Sequence, residues 1–130
     1  MASAPAFAAT PKIWSAAVST ANTNRDGTGT IATIGTAGSS GTKIERIVFK
    51  ATADPADSVV ILWLHDGSSY WMFDEVDLGD PAAGSTTVTA YREERVYGDL
   101  VLPSGWSLRA QITVSLTTGA IHVSAFGADI

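Results

Sequence analysis

Gly27, Gly29 and Ala32, in and just after the stretch TANTNRDGTGTI (20–31), match the spacing G-x-G-x-x-A. In dinucleotide-binding turns that spacing brings backbone amides up to a pyrophosphate, but it requires a strand before it and a helix after it. Here NTNRD precedes, and Thr30, Ile31, Thr33 and Ile34 follow, residues suited to a strand. The stretch therefore reads as an Asx-and-glycine turn. GTAGSSGTK (35–43) fails as a phosphate loop for a related reason: Thr42 separates the last glycine from Lys43, and no helix-forming run follows. It reads as a loop between strands.

His65 and Asp66 are adjacent and serines are plentiful, the raw material of a hydrolytic triad. No G-x-S-x-G elbow accompanies them, and His65 ends an apolar run beside a turn, the place of a structural histidine. Asp74, Asp77 and Asp80 stand three apart and offer oxygen ligands, yet they lack the alternate spacing and closing Glu of a helix-loop-helix calcium site. A zinc site needs His65, His122 and distant carboxylates to converge. The reading is no enzyme, no cofactor and no metal. Trp63, Tyr70, Trp71 and Trp106 offer the flat apolar faces of a sugar platform, so a carbohydrate-binding module is the alternative from another functional class; core packing accounts for the same residues.

Charged residues form 16% of the chain, against about 25% in an ordinary soluble domain, so part of the surface is expected to meet protein. A net charge of −5 with scattered Lys and Arg argues against nucleic acid as a partner. No cysteine is present, which excludes disulfides and thiol chemistry, and no stretch is long enough to span a bilayer. The beginning, MASAPAFAAT, lacks a basic leader and reads as an extended arm over residues 1–11, with Phe7 and Pro11 available to a neighbour. YREER (91–95) sets Arg92 and Glu94 against Glu93 and Arg95: either a solvated strand face or a mixed-sign row that fixes register between subunits. The candidate protein-contacting residues are Phe7, Pro11, Trp14, Trp71, Tyr91, Arg92, Glu93 and Arg95.

The elements that must position these residues are strands. A length of 130 residues makes one domain, assigned to 12–130, and short β-branched and aromatic runs recur between Gly, Pro, Asp and Ser clusters. KIWSAAVS alternates Trp14, Ala16 and Val18 inward; TGTIATIGTA suits an edge strand. In TKIERIVFKAT the core side stays open between Ile44, Arg46, Val48 and Lys50 and the set Glu45, Ile47, Phe49 and Ala51. DPAD (54–57) reads as a turn or short helical loop. VVILWLHD is a central strand in a hairpin with SYWMFDEVDL, with Tyr70, Met72 and Val76 on one face. STTVTAYREERVYG continues as a strand whose second half is strand or brief helix. Pro103, Ser104 and Gly105 form a turn, after which Trp106, Leu108, Ala110, Ile112, Val114 and Leu116 alternate strictly. Ile121, Val123 and Ala125 point inward from the last strand. Eight or nine strands without crossover helices predict an all-β, antiparallel, jelly-roll-like sandwich.

Across nearly its whole length the chain resembles head decoration, or cement, proteins of tailed double-stranded DNA bacteriophages. The resemblance lies in TPKIWSAAVSTANTNRDGTGTI, SGTKIERIVFKAT, LWLHDGSSYW and LVLPSGWSLRA. It implies a β-rich virion structural protein, a homotrimer made in the host bacterial cytoplasm and bound to the capsid exterior, where it clamps neighbouring major capsid protein subunits. A tail or fibre component fits the same composition.

Overall fold

The computed structural model describes residues 10–53, 57–78, 84–116 and 118–130. They form eight strands: β1 (Thr10–Val18), β2 (Ala32–Thr36), β3 (Thr42–Ala51), β4 (Val59–His65), β5 (Tyr70–Asp77), β6 (Arg92–Leu102), β7 (Ser107–Ile112) and β8 (Ile121–Asp129). β1 pairs with β8, β2 with β7, β3 with β6 and β4 with β5, all antiparallel. Folding this nest of pairs over on itself adds the contacts β3–β8 and β4–β7. The outcome is two four-stranded sheets, β1-β8-β3-β6 and β2-β7-β4-β5, with the nested connectivity of a jelly roll. No helix occurs among the described residues, so none there is long and apolar enough to cross a membrane.

Alternation explains most of the packing. β8 turns Ile121, Val123 and Ala125 into the space between the sheets, and β7 does the same with Leu108, Ala110 and Ile112. β2 is an edge strand and β4 an interior one, as their patterns require. Phe49, Ile47 and Leu62 are fully buried, each contributing about 1.5–3 kcal/mol through removal from water.

Where the pattern is ambiguous, bulges decide. Against β8, Ile44 faces Gly127 and Arg46 faces Phe126, so Glu45 is an extra residue on β3. Ile44 and Ile47 thereby both point inward, followed by Phe49 and Ala51, while Arg46, Val48 and Lys50 keep the outer side. A second shift, between Leu62 and Trp63, inserts a residue into β5 at Phe73. Tyr70 and Met72 pair with His65 and Trp63 on the outer side, whereas Val76 pairs with the core residue Val60. The expected common face of Tyr70, Met72 and Val76 is therefore broken by the bulge.

Two element boundaries also differ from expectation. β6 runs without interruption through Gly98 and takes no helical turn. β7 stops at Ile112, where Thr113 N donates to Val59 O; Val114 is exposed, and Leu116 packs back on the core from outside the strand. β1 opens at Thr10, so Pro11 stands in a strand and pairs with Ala128. Phe7 and residues 54–56 of the expected turn lie outside the described residues.

Candidate interaction surfaces

The stretch 20–31 proves to be a cover for the outer side of the second sheet. Ile61 and Trp63 point away from the main core yet are buried, because this loop lies over them. Gln111 is the fastener. Its Oε1 accepts from Trp63 Nε1 at 2.6 Å, and its Nε2 donates to Asn22 O at 2.9 Å and Asn24 O at 2.7 Å. Asn22 Nδ2 in turn donates to Thr28 O and Thr30 O, closing the loop on itself. Gly27 and Gly29 have φ of 85° and 86°, and a Cβ at either would come within 2.7 Å of Tyr70 Cβ or Asn22 Oδ1 respectively. The glycines that imitate a nucleotide fingerprint are there for backbone conformation and close approach.

The other chemical candidates are likewise engaged in structure. Asp66 accepts from Ser68 N, Ser69 N and Trp71 Nε1, and these bonds, the indole's foremost, hold its carboxyl down at about 2. His65 Nδ1 accepts from Gly67 N, and its ring rests 4.4 Å from that of Tyr70, whose hydroxyl accepts from Arg109. His65 faces outward from one sheet and His122 from the other, so the two do not converge. Among the described residues no three His, Asp or Glu side chains gather as a metal site. A cavity of ≈ 80 Å³ between β1, β2 and β7, lined by Val18, Ala32, Ala110 and Ile112, falls well below the ~300 Å³ of ordinary ligand pockets. The sugar platform is not assembled: Trp63 is buried beneath the loop and Trp106 packs on the core.

What remains open is the outer face of the first sheet. Register aligns its side chains in rows across β1, β8, β3 and β6: Ile13, Phe126, Arg46 and Val96 in one, Ser15, Ser124, Val48 and Glu94 in the next, then Ala17, His122, Lys50 and Arg92. Ile13 is 67% and Val96 75% exposed. Arg46 stacks over Phe126 at 4.4 Å, and Arg46 and Arg92 both reach Glu94, at 3.6 and 3.1 Å. No described element covers this face.

β5 and β6 meet at one side of the sandwich. The Phe73 and Tyr97 rings lie 5.1 Å apart, Tyr97 Oη donates to Asp74 Oδ2 at 2.8 Å, and Tyr91 Oη reaches Asp77 O at 3.4 Å. Burial, reinforced by the Asp74 carboxylate, pushes the Tyr97 hydroxyl far above the usual phenol range. Arg95 Nε is buried there without a hydrogen-bond partner.

The sequence-selected contact residues are thus dispersed. Arg92 lies on the open face; Glu93 and Arg95 point to the other side of β6, and Tyr91 just precedes it. Trp14 is turned inward onto Gly35, whose Cβ position its ring occupies, so it packs the sandwich instead of offering a surface. Trp71 is 55% exposed at the β4–β5 hairpin. Ile13, Arg46, Val96 and Phe126, which form a row of the open face, are not among the residues the sequence singles out. The alternation of KIWSAAVS already points Ile13 opposite Trp14, but the bulge at Glu45 conceals which side of β3 joins it.

No family model matches the chain, and no curated protein matches it in sequence. Among solved structures it is similar to a chain in the structure of infectious bursal disease virus, Gx strain, at 12% identity and a TM-score of 0.31. The match covers 92% of this chain and 31% of that one, so this chain spans about a third of that chain's length.

Proposed function

We propose that this protein is a virion structural protein without enzymatic activity: a decoration, or cement, protein that binds the outer surface of a bacteriophage major capsid protein lattice as a homotrimer. The observation that carries the reading is the division of the molecule. The polar loop 20–31 and the β4–β5 hairpin are closed on themselves by hydrogen bonds, while a four-stranded sheet edged by β1 presents a face that no described element covers. β1 has β8 as its in-sheet partner on one side and an unpaired edge on the other, with exposed Ile13 beside it. Such an edge is a template for strand addition or side-on docking. The jelly-roll connectivity agrees with the resemblance of the sequence, although the fold also serves lectins and cupins. Binding that occurs only to the assembled lattice stabilises it by mass action at every repeated site.

Heads lacking this protein provide the test. Added back, it is expected to bind in fixed stoichiometry and raise the temperature of genome release; a variant lacking residues 2–9 is expected to keep its fold and bind more weakly. Binding confined to tails selects the tail or fibre reading, and no binding to any virion part overturns the proposal. Specific glycan binding lost in Trp71→Ala favours the carbohydrate-binding class instead.

A further inference from the structure

The chain's charges are not evenly mixed. Four of its eight Lys and Arg, namely Lys43, Arg46, Lys50 and Arg92, lie on the open face of the first sheet. Two of its thirteen acids, Glu45 and Glu94, accompany them, three if Asp99 in the irregular part of β6 is counted. Arg46 and Arg92 share Glu94, Lys43 pairs with Glu45 and Lys50 donates to Ala51 O and Ala90 O, which leaves the face mildly basic on a chain of net charge −5; it also carries exposed Val96 and the Phe126 ring.

The opposite composition occurs on β5, an edge strand of the second sheet. It carries Asp74, Glu75 and Asp77 and no Lys or Arg, with exposed Trp71 and Met72 beside them. Asp66 extends the acidic stretch at the hairpin, and Arg25 is bound to Glu75 at 2.6 Å.

We infer that copies of this chain associate head to tail, the basic and apolar outer face of one copy seating on the acidic and apolar β5 edge of the next. Opposite potentials across such a contact steer the encounter and fix its orientation. Face-to-face pairing of two copies sets Arg46, Lys50 and Arg92 against themselves and is disfavoured for the same reason. Head-to-tail contacts close into rings or run on as filaments, according to the rotation between copies. Glu75 and Asp77 pair with Ile61 and Val59 and so lie on the outer side of the second sheet at its β5 edge, turned away from the basic face of the first. The homotrimer proposed above requires the rotation that closes into a ring. The inference gives the contact behind the self-association proposed above and rests on it, but not on head binding.

The test uses the purified chain alone, so that its result is separate from attachment to heads. Sedimentation equilibrium is expected to show a closed oligomer at about 50 mM salt, with dissociation strengthened at least about tenfold at about 500 mM, where screening is nearly complete. Arg46→Glu/Arg92→Glu and Glu75→Lys/Asp77→Lys are each expected to be monomeric while melting cooperatively, and mixing the two is expected to restore association. Val96→Ser, which leaves the charges intact, is expected to weaken association and serves if a charge-reversed variant does not fold. A wild-type chain that stays monomeric at high concentration overturns the inference, as does association indifferent to salt and to all three variants. Charge-reversed variants that stay apart when mixed overturn its head-to-tail form.

Discussion

Gln111 shows how one side chain converts a turn into part of the fold. Three polar groups, the Trp63 indole N–H and the Asn22 and Asn24 carbonyls, are satisfied by its amide, itself 1% exposed. Gln111→Ala removes all three partners at once and opens a void beneath the loop. The expected loss is about 3 kcal/mol or more, because unsatisfied buried polar groups and cavities each cost of that order. Thermal melting measures it. Hydrogen exchange is expected to localise the added exposure to residues 20–31, and a loss no larger than that of an exposed Gln contradicts the fastening role. Asn22 and Asn24 are legible in the sequence as turn residues. Their partner 87 or more positions away is not, because local composition carries no information about which distant strand presents an amide beneath the loop.

Between β1 and β2 the two sheets are joined by a residue that is absent as much as by one that is present. The Trp14 ring sits where a side chain on Gly35 would be, with a Cβ there falling 2.0 Å from Trp14 Cδ2. Gly35→Ala must therefore displace the indole and is expected to cost about 1–3 kcal/mol by overpacking. Combining it with Trp14→Leu should cost less than the sum of the single changes, since the smaller side chain leaves room for the methyl group. Strict additivity in denaturant melts contradicts this account. The same elements mark what the sequence could tell. Inward alternation in β1 and β8, the interior position of β4 and the edge position of β2 follow from hydrophobic period and flanking turns. The face of β3, the broken face of β5 and the early end of β7 do not. Each depends on an extra residue or a chain departure that only the opposing strand enforces, and a one-residue insertion inverts every face beyond it. The open sheet face was hidden for that reason: Arg46 joins Ile13, Phe126 and Val96 only once Glu45 is displaced from the ladder.

At the scale of the molecule, β8 is the strand on which the first sheet depends, since it lies between β1 and β3 and supplies Ile121, Val123 and Ala125 to the core. Removing residues 121–130 is expected to abolish cooperative melting outright, whereas a merely lowered midpoint means that the remaining strands form a sheet unaided. The pairing of Thr10 with Asp129 carries a further consequence for how the protein folds. β1 and β8 are separated by every other strand of the domain, and contacts so distant in sequence make folding slow. The β4–β5 hairpin pairs locally and is expected to form before the β1–β8 ladder, which pulsed hydrogen exchange measures. Until that ladder closes, β1 is a strand without its partner, and Pro11, Lys12 and Ser15 are residues of the kind that keep such a strand from pairing with other chains.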